Sequence, residues 1–257
     1  MQSALAPAGD MKPKITIWHT NDMHGRMSAE TAERLRRLRE GTPDSLLLDA
    51  GDAVAAGNVT WRLKEPIFEL MRLAGYDAMA LGNREFHLWQ VGFAAKLRDS
   101  PHPVLCANLA SQPRPLPGAL RSSIVVELGS GLTVGILGLT VPMVTSAMVV
   151  SRLSHYVFED PIAAGRREAA ALRGRCNVLV ALTHLGVKRD RELLVAAPEI
   201  DLIVGGHSHT PLYEPMQEAG RWIVQSEPFA RTVGRVEVEL GERGVVGVRG
   251  ELIALKS

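Results

Sequence analysis

Apolar positions along this chain fall into short runs separated by polar clusters, and the runs follow two periods. "KITIWH", "SLLLDAGD", "DAMALGN", "HPVLCANL", "CNVLVALTHLG" and "DLIVGGHSH" are β-branched or leucine-rich runs that end in polar or glycine-bearing loops, as buried strands do. Between them, apolar residues recur at helical spacing. "SAETAERLRRLRE" has a Ser in capping position and a "GT" stop, and "EPIFELMRLAGY" has Pro in its first turn. Further helices are predicted from Leu88 to Asp99, over "DPIAAGRREAAALRGR" with Asp before an early Pro, and over "RDRELLVAAP". "SSIVVELGSGLTVGILGLT" predicts two strands joined by a Gly-Ser-Gly turn, and the tail from Trp222 to Leu252 alternates like antiparallel strands. This order suits two mixed sheets packed face to face with helices outside.

Composition narrows the class. The 257 residues can bury one substantial core, and 46% hydrophobic with 22% charged residues is an ordinary globular balance. A net charge of +1 supplies no global field for nucleic acid or an anionic membrane, which argues against a nuclease. The Arg-rich face of "ERLRRLRE" carries interleaved Glu and no aromatic, so it reads as a solvated helix surface. Cys106 and Cys176 fall in apolar runs and read as free thiols rather than a disulfide framework. Residues 1–13 read as a disordered leader without the pattern of a secretory signal, and no apolar run reaches the roughly 20 residues of a membrane span. The expected location is cytoplasmic, with export after signal removal as the alternative.

Candidate chemistry recurs at one kind of place, the carboxyl end of a predicted strand. Asp22 and His24 stand in "NDMHG", Asp52 in "AGDAV", Asn83 in "LGNRE", His184 in "LTHLG", and His207 with His209 in "GGHSHT". In α/β sheets ligands gather outside those strand ends. The spacing of two within Asp22/His24 and His207/His209 would turn each pair to one side of an extended segment. Carboxylate, imidazole and amide oxygen together suit Mn, Fe, Zn or similar first-row ions. Seven such groups exceed the needs of one tetrahedral ion, whereas two ions sharing Asp52 would use them all.

In these blocks the sequence resembles the metallophosphoesterase (calcineurin-like) superfamily, and most closely the catalytic domain of the 5′-nucleotidase family. "HTNDMHG", "AGD", "GN-x-EF", "THLG" and "GGHSH" match its five blocks in order, and the likeness extends through "LCANL", "VGILGLT", "FEDPIAAGRREAAALR" and "QSEPFARTVGRVEVEL". The resemblance covers essentially the chain after residue 13. It implies a four-layer α-β-β-α sandwich and a single catalytic domain over residues 14–257, without the C-terminal substrate domain that the family carries. It also implies that Asp22, His24 and His209 hold one divalent ion, that Asn83, His184 and His207 hold the other, and that Asp52 lies between them. His19 matches the family pattern too and reads as a packing residue or one that supports the ligands from behind. The implied reaction is in-line attack of an activated water on phosphorus, without a covalent enzyme intermediate.

The third block departs from the family's Gly-Asn-His-Glu-Phe-Asp. Here Arg84 stands where the catalytic His belongs and His87 where its Asp partner belongs. Arg is no acid, yet its planar fork can neutralise charge on a phosphoryl oxygen, and His87 could supply a proton. Three readings follow: a hydrolase favouring good leaving groups, an adaptation to a different phosphorylated substrate, and a metal- and phospholigand-binding sensor or partner module with little turnover. The expected partner is a small phosphorylated substrate, no more specific than a phosphoester, with nucleotide one candidate class. Candidates for base stacking are Trp61, Trp89, Tyr156 and Phe158. The apolar, poorly periodic stretch over residues 140–158 is expected to pack in the core, with a substrate lid or a homodimer contact as the sharper alternatives.

Overall fold

Side-chain parity along the strands decides the layering. In the computed structural model, which describes residues 12–57, 60, 64–111, 115–242 and 244–255, strand β1 (Lys14–Thr20) turns Ile15 and Ile17 to one side and Trp18 to the other. Strand β2 (Ser45–Asp49) does the same with Leu46 and Leu48 against Leu47. Residues of this kind on both faces are what a sheet covered on two sides requires.

The remaining strands are β3 (Ala78–Ala80), β4 (Val104–Leu105), β5 (Leu109–Ser111), β6 (Leu120–Arg121), β7 (Ser123–Glu127) and β8 (Thr133–Thr140). They continue with β9 (Tyr156–Phe158), β10 (Val178–His184), β11 (Leu202–Val204), β12 (Met216–Glu218), β13 (Arg221–Val224), β14 (Thr232–Gly241) and β15 (Gly244–Ala254). One seven-stranded sheet runs β15-β14-β1-β2-β3-β4-β6, a six-stranded sheet runs β12-β13-β11-β10-β8-β7, and β5 pairs with β9. Both large sheets are mixed: β1 is parallel to β2 but antiparallel to β14, and β8 is parallel to β10 but antiparallel to β7.

Helices α1 (Ala29–Glu40), α2 (Ile67–Ala74) and α3 (Gln90–Leu97) cover the outer face of the first sheet, where Leu35, Phe68, Met71 and Phe93 pack with Trp18, Leu47 and Met79. Helices α4 (Pro161–Arg173) and α5 (Val187–Ala196) cover the second, where Leu172 and Leu193 meet Leu179, Ala181 and Ile203. Between the sheets, Ile15, Ile17, Leu46 and Leu48 meet Ile136, Val178, Val180 and Leu202. The order is therefore helix, sheet, sheet, helix, as expected. At Gly138 of β8 the two sheets approach tightly. A Cβ there would overlap Leu105 of β4, and the Ala107 N–H donates to the Gly138 carbonyl at 2.7 Å.

Local chemistry sets most ends. Ser28 accepts the Thr31 N–H at 3.1 Å ahead of α1, and Asp160 accepts the Ala163 N–H at 2.9 Å ahead of α4. Helix α3 is shorter than the Leu88–Asp99 segment predicted, because the Leu88 carbonyl accepts the His155 N–H and the Gln90 N–H donates to His155 Nδ1. Residues 140–158 divide rather than pack as a block. Val144, Tyr156 and Phe158 are buried, while Met148, Val149 and Leu153 stand exposed around a short 3-10 turn. Both cysteines are free thiols. Residues 1–11 of the expected leader, and Trp61, lie outside the described residues. Among the described residues no helix is long and apolar enough to cross a membrane.

Candidate metal centre

The seven expected ligands sit in loops that follow β1, β2 and β3 of the first sheet and in or after β10 and β11 of the second. Five of them are not presented by extended backbone. Asp22, His24, Asp52, His207 and His209 all have positive φ, between 49° and 75°, so the same-side presentation expected from a spacing of two does not apply. Left-handed backbone in non-glycine residues is strained and persists where surrounding bonds fix it. Those bonds are present: the Asp22 N–H donates to the Gly51 carbonyl and the His24 N–H to the Asp52 carbonyl, both at 2.9 Å. The His207 N–H donates to Asp22 Oδ2, also at 2.9 Å.

The side chains converge in two groups that share Asp22. Asp22, His24 and His209 form one, and Asp22, Asp52 and His184 the other, with ligand atoms within 4.8 Å of one another in each. Asp52 faces both, with Oδ2 3.5 Å from His24 Nε2 and Oδ1 3.5 Å from His184 Nε2. His209 Nε2 is 3.1 Å from Asp22 Oδ1, and Asn83 Oδ1 is 3.2 Å from His184 Nε2. His207 joins by its ring, 5.0 Å from that of His184. Five of the seven candidates thus form the two groups, and Asn83 and His207 stand beside His184.

Burial drives the Asp52 carboxyl up, but the neighbouring His184 and His24 imidazoles outweigh it and hold the group well below the usual carboxylate range. His184, fully buried, would be pushed down by desolvation, yet Asp52 and then Asp22 lift it to about 9. His24 is likewise lowered by burial and raised overall by Asp22 and Asp52. The loops therefore bring two carboxylates together among imidazoles, and His24 Nε2 is buried without a hydrogen-bond partner. A divalent cation fits that donor set.

Arg84 lies at this cluster. Its N–H donates to Asp52 Oδ1 at 2.8 Å, its Nε is 3.6 Å from Asp52 Oδ2, and Nη1 donates to the Ala55 carbonyl at 3.0 Å. His87 is placed differently: it is buried, its ring lies against Gly92 of α3, and Nδ1 accepts the Trp89 N–H at 3.1 Å. His19 packs against Gly234 as expected, and burial pushes its imidazole down to about 3.

Three supporting residues escaped the sequence reading. Glu85 accepts the N–H groups of Gly82, Asp52 and Val54, at 2.9, 3.0 and 3.0 Å, and so locks the second and third ligand loops together. Lys96 of α3 is fully buried and donates to the carbonyls of Gly57, Arg84 and Phe86 at 2.6, 2.6 and 3.0 Å. Asn21 donates to Asp22 Oδ2 at 2.9 Å while its own oxygen accepts from Ser226. A polar residue one or two positions from a ligand was the signal available for Asn21 and Glu85. Lys96 had none.

The aromatic expectation needs correction. Tyr156 and Phe158 are buried against Phe86 and cannot receive a base, whereas Trp89 is exposed. The aromatic at the cluster is Phe229, edge-on to His24 at 5.2 Å and to His209 at 5.4 Å between ring centroids.

Comparison with known proteins agrees with this geometry. The calcineurin-like phosphoesterase family model matches residues 15–211. The 5′-nucleotidase of Mus musculus is 30% identical over 95% of this chain and 50% of its own length. The crystal structure of the 5′-nucleotidase precursor from Thermus thermophilus superposes with a TM-score of 0.79 at 26% identity, covering 94% of this chain and 54% of that one. The calcineurin-like phosphoesterase YfkN from Bacillus subtilis shares the fold, with a TM-score of 0.73 at 18% identity over 95% of this chain and 91% of that one. The chain spans about half the length of the curated 5′-nucleotidases it matches.

Proposed function

The chain belongs to the calcineurin-like phosphoesterase family, and from that premise we propose that it is a divalent-metal-dependent phosphoester hydrolase of 5′-nucleotidase type, acting on nucleotides. The observation that carries this reading is the pair of ligand groups overlapping at Asp22. Asp22, His24 and His209 would hold one cation, and Asn83, His184 and His207 a second. Asp52 would be shared, since it turns one oxygen to each side. Divalent ions bound there supply Lewis-acid polarisation of phosphoryl oxygens and bring the pKa of a water toward neutrality.

The protein's own residues do the rest. Arg84 presents a permanent positive charge beside Asp52 and stabilises charge that develops on the phosphoryl oxygens. It has no proton to give at working pH, so leaving groups stable as anions are favoured, such as phosphates and aryl oxides. We assign His87, held against α3 by the Trp89 N–H, to fixing the Arg84 loop rather than to proton transfer. The exposed Trp89, Val91, Met148, Val149 and Leu153 leave a homodimer contact as a proposal, and a single-chain mass at high concentration removes it.

Metal analysis after manganese loading should find two ions per chain. The loaded protein should hydrolyse p-nitrophenyl phosphate, its bis ester or members of a nucleotide panel. One ion or none would overturn the shared-ligand arrangement. Arg84's engagement with Ala55 and Asp52 also keeps open the reading of ligand binding with little turnover. Tight nucleotide binding without hydrolysis of any panel member would establish that reading instead. The double variant Arg84→His/His87→Asp should raise monophosphate hydrolysis if the departure is a lesion, and lower activity on the preferred substrate if it is an adaptation.

A further inference from the structure

Beside the ligand cluster lies an arrangement that the metal site does not use. Phe229 and Ala230 both have left-handed backbone, φ 68° and 53°, in a loop held by a 2.9 Å bond from the Phe229 N–H to the Asp22 carbonyl. That strained turn sets the Phe229 ring against His24 and His209. Two guanidinium groups rest on the same ring, Arg26 with Cζ 4.9 Å and Arg231 with Cζ 5.6 Å from its centroid. Among the described residues neither has an acidic partner, and the acid in that loop, Glu227, instead accepts from the Tyr213 hydroxyl at 3.2 Å. A guanidinium stacked on an aromatic ring keeps its N–H edge free for in-plane bonds to oxyanions, and loses little entropy in making them.

We propose that Arg26 and Arg231, carried on Phe229, form an oxyanion subsite that engages a second phosphoryl group beside the one at the ligand cluster. The preferred substrates are then nucleoside di- and triphosphates or related phosphoanhydrides rather than monophosphates. This rests on the hydrolase reading above and deepens it.

The chemistry is consistent with the departure at Arg84. In cleavage of a nucleoside diphosphate, the oxygen of water bonds to the terminal phosphorus. The bond from that phosphorus to the bridging oxygen breaks, and the bridging oxygen keeps the electron pair on the departing nucleoside monophosphate. One proton of the water stays on the released phosphate and the other goes to solvent. The departing phosphate is stable as an anion, so no proton donor is required at the position Arg84 occupies.

The test compares wild type with Arg26→Gln, Arg231→Gln and their double variant, all manganese-loaded, in kcat/KM for ADP and for AMP. Arg175→Gln, exposed on the turn before β10, controls for bulk charge. The ratio of ADP to AMP should fall roughly 10- to 100-fold in the double variant, as loss of charged hydrogen bonds predicts, and hold in the control. Phe229→Leu, which keeps both charges but removes the platform, should give a partial fall, with thermal melts reporting folding. Calorimetric affinity for an ADP analogue with a P–C–P bridge, against AMP, reads the subsite independently of turnover. If wild type turns over neither nucleotide, yet the analogue's affinity falls selectively in the double variant, the subsite stands and the hydrolase reading falls. Equal losses for both nucleotides, an unchanged ratio, or no analogue binding to wild type would each overturn the subsite.

Discussion

Left-handed backbone at Asp22, His24, Asp52, His207 and His209 costs about 1 kcal/mol per residue, and five such residues in one cluster stand only because loop-to-loop bonds fix them. Buried histidines add a second cost that depends on pH. His102, packed against Phe68 and Tyr76, has Nε2 without a partner, and burial lowers its imidazole from 6.5 to about 4. The unfolded chain therefore binds a proton between those values that the folded chain refuses. Stability attributable to this group is fully present above pH 6.5 and is lost as pH falls toward 4. In chelator-treated protein, urea unfolding at several pH values should show that loss. His102→Phe should flatten it by on the order of 2–3 kcal/mol across the window, and parallel curves for the two proteins would refute the assignment. The candidate ligands were legible at this scale, because a polar residue at a strand end announces itself by type and place. Lys96 was not, because its role comes from loops and a helix that meet only in the folded chain.

Among the elements, those that carry their own chemical punctuation were readable. Ser28 and Asp160 cap α1 and α4 where the sequence places them, and the β7–β8 hairpin turns where Gly-Ser-Gly stands. Elements set by neighbours were not. The start of α5 moves to Val187, behind Gly186 at φ 84°, and β5 pairs with β9 across almost fifty residues. Strand β12 was invisible too, since "MQE" has no apolar alternation and exists by pairing with β13. That hairpin has a two-residue loop, Ala219 and Gly220, at φ 49° and 77°. Two positive φ values in such a loop are those of a type I′ turn, which favours Asn-Gly. Ala219→Asn should therefore raise the urea midpoint by the equivalent of roughly 0.5–1 kcal/mol, and Ala219→Val should lower it. A stabilising Val would show that the turn is held by something other than local backbone preference.

At the scale of the whole molecule, the candidate ligands come from both sheets: Asp22, Asp52 and Asn83 follow strands of the first, and His184, His207 and His209 belong to the second. Their separation depends on how closely the sheets pack, and Gly138 against Leu105 is one tight approach between them. Cations held at the cluster would clamp the two sheets, which have their hydrophobic interface directly beneath. Ions at a concentration about 100-fold above their dissociation constant stabilise the fold by roughly 2.7 kcal/mol per site. In a chain of this size that raises Tm by about 5–10 °C per site. Chelation should remove the increment, and Asp52→Asn should lack it from the start. Gly138→Ala supplies the sharper comparison, because it touches no ligand. Overpacking there should cost on the order of 1–3 kcal/mol, and by wedging the sheets apart it should also weaken metal binding and shrink the chelation-dependent Tm difference. A Gly138→Ala protein that melts lower but keeps the full metal increment would show that the ligand loops hold their geometry independently of the sheets beneath them.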